Sequence, residues 1–491
     1  MSLPPRKITR RTTLAGLSAS AAVLVTACKT PPGVKIDPVT VRARPVVPVK
    51  TLDPLLEDVH KRTFNFFWET AEPETGLIPD RWPRPPFCSI AAVGFALNAY
   101  AIGVEQGYVT RAQARTRVLT TLRFLRNAQQ DTSPDQASGY QGFFYHFVNF
   151  TTGKRYGDSE LSTVDTALLI AGVLFIGGYF DQDHPEEAEI RKTADELYQR
   201  VNWPWAIQMA PDIRMAWSPE LEFGGHDWRG YNEAMLVFIL ALGSPTFPAA
   251  RSTWVGWTSD YYRAWGTLEG QTHLTFGPMF GHQYTHIWVD LRGIKDEFMW
   301  PLNMDYFENS RRAVLAQRAY AIRNPMDWRG YGPNIWGLTA CDGPGDYELT
   351  YLGQKRKFYS YAARGVDIRE TRDDGTIAPT AVLGSLPFAP EVVLPAAQEM
   401  HSRYGRYIYG KYGFVDAFNP SFDYDVPLRH GRRVRGQGWF DTEYLGIDQG
   451  PIISMIENYR SELIWTVMKR SQYVRTGLQR AGFEGGWLAS H

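Results

Sequence analysis

Glu233 closes the segment His226-Asp227-Trp228-Arg229-Gly230-Tyr231-Asn232-Glu233 and stands directly before the wholly apolar stretch 234–242. A carboxyl held there is partly withdrawn from water, which raises its pKa toward the range a general acid needs. The dipole of the following helix opposes that rise, so the surroundings must supply it. The alternative is that Asn232 or Gly230 caps the helix and Glu233 merely occupies its favourable first turn. A second carboxylate, Asp416, is a lone acid among aromatics in Tyr412-Gly413-Phe414-Val415-Asp416-Ala417-Phe418 and could activate a water, with Asp441 and Asp448 competing for that role. A third group is Asp158, Glu160 and Asp165. Ser162-Thr163-Val164-Asp165 also reads as an ordinary capping box, which leaves Asp158 and Glu160 as the better candidates for catalysis or ligand contact. One protonated and one ionised carboxyl group are what cleavage of a glycosidic bond requires.

Around these acids, Trp, Tyr and His crowd into the loops that precede every second helical pattern. Asp80-Arg81-Trp82 lies before the second, Asp158 to Glu160 before the fourth, and Trp228 to Glu233 before the sixth. His282, Tyr284, His286 and Trp288 fall at the eighth, then Trp336 with Asp342, and finally Trp439, Asp441 and Asp448. Sugar C–H faces stack on aromatic rings while carboxylates take hydroxyl protons, so such a lining suits a neutral polyhydroxylated ligand. Asp158, Asp165, Trp228, Tyr231, His286, Trp288, Trp336, Asp342, Trp439, Asp441 and Asp448 are therefore the expected binding residues. Any one of them could equally be core or cap; the clustering is the signal. His282-x-x-x-His286 has metal-ligand spacing but lacks the glutamate of the zinc motif and a third ligand, so neither metal nor cofactor is expected. No Gly-x-Ser-x-Gly, P-loop or dinucleotide fingerprint offers other chemistry.

Helical patterns must position these groups. Asp53-Pro54 opens one to about residue 70, Ser89 caps a second to about 107, and Thr110 with Gln113 forms a capping box for a third. Others are expected at 162–178, 185–201, 232–242, 250–266, 304–323, 390–404 and 449–469, with shorter ones near 281–291, 334–340 and 378–384. Strand-like pieces are few: 143–149, and 205–209 with 213–217 about Pro211-Asp212. Twelve or thirteen helices without an internal linker or fixed-period repeat suit an all-α (α/α)6 barrel with a few short β-hairpins. In that fold alternate helices form the inner ring and the acid-rich loops meet at one mouth. An irregular all-α domain is the alternative.

The composition is 52 Lys+Arg against 52 Asp+Glu in 491 residues, with 14% aromatics and 3 Cys. Zero net charge argues against a nucleic-acid partner, and three cysteines make neither a disulfide scaffold nor a thiolate zinc site. Arg10-Arg11 before the apolar run 14–27 resembles a twin-arginine export signal, and Val25-Thr26-Ala27-Cys28 a bacterial lipobox with Cys28 as the lipidated mature N-terminus. A plain secretory signal is the alternative. Removing 1–27 turns 52 against 52 into 48 basic against 52 acidic. Residues 28–50, rich in proline, read as a tether, and 51–491 as the catalytic domain. The expectation is a periplasmic monomer that touches the membrane only through its lipid. Whether Cys88 and Cys341 pair is open.

Gly76-Leu-Ile-Pro-Asp80-Arg81, Glu160-Leu-Ser-Thr-Val-Asp165-Thr-Ala, Gly230-Tyr-Asn-Glu233-Ala-Met and Gly281-His-Gln-Tyr-Thr-His286-Ile-Trp resemble the bacterial glycoamylase-like domain. So do Asn334-Ile-Trp336 through Asp342, Lys411-Tyr-Gly-Phe-Val-Asp416-Ala-Phe-Asn and Tyr444-Leu-Gly-Ile-Asp448-Gln-Gly-Pro, and the resemblance spans about residues 55–488. That family is similar to endo-β-1,2-glucanases and to the cyclising region of cyclic β-1,2-glucan synthases. The resemblance implies a metal-free (α/α)6 glycoside hydrolase acting on β-1,2-glucan or sophoro-oligosaccharides. It implies Glu233 as general acid and Asp416 as general base of an inverting mechanism. The group at Asp158, Glu160 and Asp165 would hold sugars near the scissile bond or, if the enzyme retains, supply a nucleophile. A transglycosylase, an exo-acting β-glucosidase or a non-catalytic carbohydrate-binding envelope lipoprotein are the other readings. A polysaccharide lyase would want more basic residues than the scattered Arg84, Arg229 and Arg292.

Overall fold

Helices that are apolar all round alternate along the chain with helices that are apolar on one stripe, and this alternation builds the molecule. The computed structural model describes residues 47–84 and 87–489, all within one unit, Arg44–His491. The residues expected to form an export signal, Cys28 and most of the expected tether lie outside the described residues. Among the described residues the α-helices are α1 (Pro54–Thr70), α2 (Ile90–Glu105), α3 (Arg111–Asn127), α4 (Thr163–Tyr179), α5 (Pro185–Gln199), α6 (Met235–Gly243), α7 (Arg251–Thr258) and α8 (Tyr284–Trp288). They continue with α9 (Tyr306–Arg323), α10 (Pro379–Leu383), α11 (Pro390–Ile408), α12 (Gly446–Ser461), α13 (Leu463–Met468) and α14 (Gln472–Ala481). None is long and apolar enough to cross a membrane.

The even-numbered helices α2 to α12 are buried along most or all of their length, as all-round apolar helices must be. Each fully buried Leu, Ile, Val or Phe contributes roughly 1.5–3 kcal/mol. α2 packs on α4 and α12, α4 on α6, α6 on α8, and α10 on α12, while α1, α3, α5, α7 and α11 lie against them from outside. α14 covers α6. α2 and α4 cross without side chains between them. A Cβ on Gly94 would stand 2.4 Å from the Leu168 carbonyl oxygen, and one on Gly172 would stand 2.2 Å from that of Gly94.

Local chemistry sets the helix starts. Asp53 accepts from the Leu55 N–H (2.9 Å), Thr110 and Gln113 close a reciprocal capping box, and Ser162 caps α4. Several boundaries depart from the sequence expectation. The 250–266 pattern ends at Thr258, because Trp265–Leu268 pairs as a strand with Gln271–Leu274. The 449–469 pattern begins earlier and splits at Glu462, whose φ of 56° ends α12 and starts α13. No helix forms at 334–340, and the hairpin of Tyr347–Tyr351 with Gln354–Phe358 and the amphipathic α14 were not anticipated. The 205–209 piece is no strand: Trp203–Ala206 forms a 3-10 turn, and Ala216–Trp217 pairs with Leu161–Ser162 instead.

Short antiparallel strands join the loops that lead into the buried helices. Arg81 and Trp82, before α2, pair with Leu445 and Tyr444, before α12. Phe87–Ser89 pairs with Phe147–Asn149, and Phe143–Tyr145 with the strand that opens α4. That strand carries Ala216–Trp217, and Arg214 bridges to Asp227 ahead of α6. The entries to α2, α4, α6 and α12 are thereby stitched into one rim. Beside it, Trp328, Phe358, Phe422 and Trp439 form a small second core, braced by the fully buried Arg364–Asp374 ion pair.

Candidate active site

Glu233 sits in the turn just before α6. Trp228 anchors that turn by donating its indole N–H to Thr163 Oγ1 (2.9 Å), at the first residue of α4, and Asn232 Oδ1 accepts from the Ala234 N–H (3.0 Å). The helix itself begins at Met235, so Glu233 is ahead of its first turn rather than in it. Its Oε2 is buried without a hydrogen-bond partner. Burial pushes the carboxyl up to about 7, and the charge of Asp165 adds to the rise. The acid therefore keeps a substantial protonated fraction near neutrality.

Asp165, in the first turn of α4, accepts from the Ser162 hydroxyl (2.5 Å) and faces His146, whose Nε2 is 3.7 Å from Asp165 Oδ1. His146 Nδ1 is 2.8 Å from Glu160 Oε1. Burial opposes charging of the ring, but Asp165 and Glu160 outweigh it and carry His146 up to about 9. Against the same opposing effect of burial, His146 holds Glu160 below the usual carboxylate range. One acid raised by burial and two acidic side chains about a shared imidazole thus stand at the entries to α4 and α6.

The second group gathers from the entries to α2 and α12. The Asp342 N–H donates to Asp416 Oδ2 (2.7 Å), and the Asp448 carboxyl hydrogen-bonds that of Asp416. Asp441 Oδ1 accepts from the Thr442 N–H at 2.7 Å. One oxygen each of Asp342, Asp416, Asp441 and Asp448 is buried and unpartnered. Burial, reinforced by Asp342, pushes Asp416 up to about 7, and Asp441 and Asp448 are likewise raised by burial and by the charges of Asp416 and Asp342. Arg81 crosses beside them, 2.8 Å from Asp342 Oδ2, 3.0 Å from Glu443 Oε2 and 3.3 Å from Asp80. Against burial, Arg84 and Arg81 hold Glu443 low, while burial pushes Asp80 up to about 6. Burial, with the charges of Asp448, Glu233 and Asp165 among the smaller causes, raises the hydroxyl of Tyr284, the first residue of α8, well above its ordinary value.

Among the described residues two sets could surround a cation. In Asp342, His430 and Glu443 the Arg81 guanidinium already occupies the position between the carboxylates. In Asp342, Asp416 and Asp441 the oxygens lie within 4.8 Å of one another, and burial together with the neighbouring carboxylates raises both Asp416 and Asp441. His282 and His286 face other partners: His282 Nδ1 meets the Tyr231 hydroxyl (3.1 Å) and His286 Nε2 that of Ser310 (3.1 Å), both in the core.

The structure therefore brings together Glu233, Glu160 and Asp165 in one group, and Asp416, Asp342, Asp441 and Asp448 in the other. It does not bring in the rest of the expected binding set. Asp158 is exposed in a turn. Trp228 and Tyr231 are buried anchors of the turn before α6. His286 lies inside α8, and Trp288 donates to Asn98 Oδ1 (3.0 Å) across the core. Trp336 is 1% exposed, and Trp439 donates to the His430 carbonyl oxygen (2.7 Å). These rings brace the loops that carry the acids and offer no face to a sugar. Asp80, Arg81, Glu443 and Tyr284 belong to the site although sequence reasoning did not single them out; they lie in the acid-dense loops it marked. His146 lies in a strand region with no such signal. Cys88 and Cys341 are both free and buried.

Known proteins resemble the chain in sequence and fold. Residues 225–472 match the Glycoamylase family model, described as "Putative glucoamylase". A "putative glucoamylase" crystal structure from Bacteroides uniformis aligns with a TM-score of 0.75 at 33% identity, covering 89% of this chain and 99% of that one. An endo-β-1,2-glucanase from Chitinophaga pinensis, solved with sophorotriose and glucose, aligns with a TM-score of 0.75 at 28% identity over 89% of this chain and all of that one. An exo β-1,2-glucooligosaccharide sophorohydrolase from Parabacteroides distasonis is 29% identical over 462 residues, 88% of this chain. The chain spans 58% of that relative's length.

Proposed function

The chain belongs to the Glycoamylase family, and from that premise we propose that it is a glycoside hydrolase cleaving β-1,2-linked glucan or sophoro-oligosaccharides. The observation that carries the proposal is the combination of Glu233, whose Oε2 is buried without a hydrogen-bond partner, with Glu160 held low by His146 and the raised aspartates around Asp416. Glu233, protonated near pH 7, donates to the glycosidic oxygen as the bond breaks. Asp416, once it gives up the proton shared with Asp448, takes a proton from the attacking water. The carboxylates on His146 and the unpartnered oxygens of Asp342 and Asp441 accept from glucose hydroxyls. The linkage is drawn from the relatives that act on β-1,2-glucans and their oligosaccharides.

The same reading takes α2, α4, α6, α8, α10 and α12 as the inner ring of an (α/α)6 barrel; their burial and mutual packing support it. It takes the protein as an exported monomer anchored through a lipid on Cys28. Incubation with linear and cyclic β-1,2-glucan, β-1,3- and β-1,4-glucans and starch, followed by chromatography, tests the function. Products from β-1,2-glucan alone are expected. Products from starch alone, or binding of glucan without any product, would overturn it.

A further inference from the structure

His146 is the charged group of the site to which acid/base catalysis assigns no part. Its backbone is fixed on both sides: its N–H donates to the Glu160 carbonyl oxygen (2.8 Å) and its carbonyl oxygen accepts from the Ile90 N–H (3.1 Å). Both ring nitrogens face carboxylates, Nδ1 toward Glu160 at 2.8 Å and Nε2 toward Asp165 at 3.7 Å. A neutral imidazole carries one N–H and would aim a lone pair at one of these carboxylates; only the imidazolium suits both. Asp80, at the entry to α2, adds a third negative charge from another side, and Arg155 faces Glu160 as the nearby cation. Asp165 is in turn the charge that acts on Glu233.

We propose that His146 is a positioning residue that bridges Glu160 and Asp165 as an imidazolium and orients both carboxylates toward the glucose unit beside Glu233. The glucose unit rests on the glycosidase reading; the bridge itself does not. Glu160, with its side chain 44% exposed, is the carboxylate a hydroxyl can reach, and Asp165, at 7%, is the inner anchor. The bridge persists through the neutral range and opens in alkali, because the ring loses its second proton only near pH 9.

Nitrogen-15 NMR of the histidine-labelled full chain tests the bridge, the His146 signals being those lost in His146→Gln. Both ring nitrogens protonated at pH 7.5, with a midpoint near 9, is the expected result. A bare nitrogen at pH 7.5 would overturn the proposal. Glu160→Gln, which removes one bridging charge, should lower that midpoint by about one unit or more; an unmoved midpoint would also overturn it. Sophorotriose affinity, measured in a Glu233→Gln background to prevent turnover, should weaken about tenfold or more between pH 8 and 10 and lose that dependence when His146 is Gln. The same pH dependence with and without His146 would count against the orienting role. Absence of any sophorotriose binding beside an intact imidazolium would instead remove the glucan reading and leave the bridge standing.

Discussion

Glu233 and Asp416 are perturbed by similar means although their roles need opposite protonation states. Both are pushed up to about 7 by burial, and each then answers to a different neighbour, Asp165 for Glu233 and the aspartate group for Asp416. Below pH 7 Asp416 is protonated and cannot act as a base; above pH 7 Glu233 ionises and cannot act as an acid. The pH profile of kcat/KM on sophoro-oligosaccharides is therefore expected to be a narrow bell centred near 7. It should fall about tenfold per unit once a limb is passed. A profile flat from pH 5 to 9 would remove both assignments. Asp416→Asn should retain substrate binding while lowering kcat by about two orders of magnitude or more, checked by steady-state kinetics.

The acids meet because the helices behind them cross closely. α2 and α4 touch backbone to backbone at Gly94 and Gly172, and those two helices carry Asp80 and Asp165 at their entries. Gly94→Ala is expected to cost about 1–3 kcal/mol in chemical denaturation, because a methyl there meets the Leu168 carbonyl at a helix crossing that cannot widen alone. It should also lower activity by spreading the entries apart; full stability with full activity would contradict the packing argument. Much of this element scale was legible in the residues. Asp53-Pro54, Thr110 with Gln113 and Ser162 mark helix starts within a residue or two, and apolar runs such as 234–242 mark helices with no outer face. What was not legible depended on partners remote in the chain. The helix through 250–266 is cut short by a hairpin that periodicity cannot see, and Glu462 breaks 449–469 through its own left-handed backbone. Aromatic density marked the right loops, yet Trp228, Trp288, Trp336 and Trp439 turn inward, since a ring can brace a loop as readily as stack on a sugar. His146 became a site residue only because the strand pairing of Phe143–Tyr145 with Leu161–Ser162 sets it beside Glu160.

For the molecule as a whole, the aspartate group is an unfavourable charge load. An acid whose folded pKa lies above its unfolded value binds more protons in the folded state. Its contribution is fully present below about pH 4 and is lost as pH rises through 7. Asp416→Asn removes that load, so it should stabilise the protein at pH 8 by on the order of 2 kcal/mol and give no gain at pH 4. Denaturation at the two pH values checks it, and a gain that is equal at both, or absent at pH 8, would contradict the raised pKa. The raised acids, Arg81 and the proposed His146 bridge lie on the loops and first helical turns at the entries to the buried helices, and the claim that unites them is glycosidic cleavage with Glu233 as the proton donor. The rate of reducing-end release from linear β-1,2-glucan by the wild-type chain and by Glu233→Gln tests that claim most directly. Steady turnover by the wild type and a loss of about a thousandfold or more in the variant is the predicted result; turnover unchanged in the variant, or none in the wild type, would contradict it.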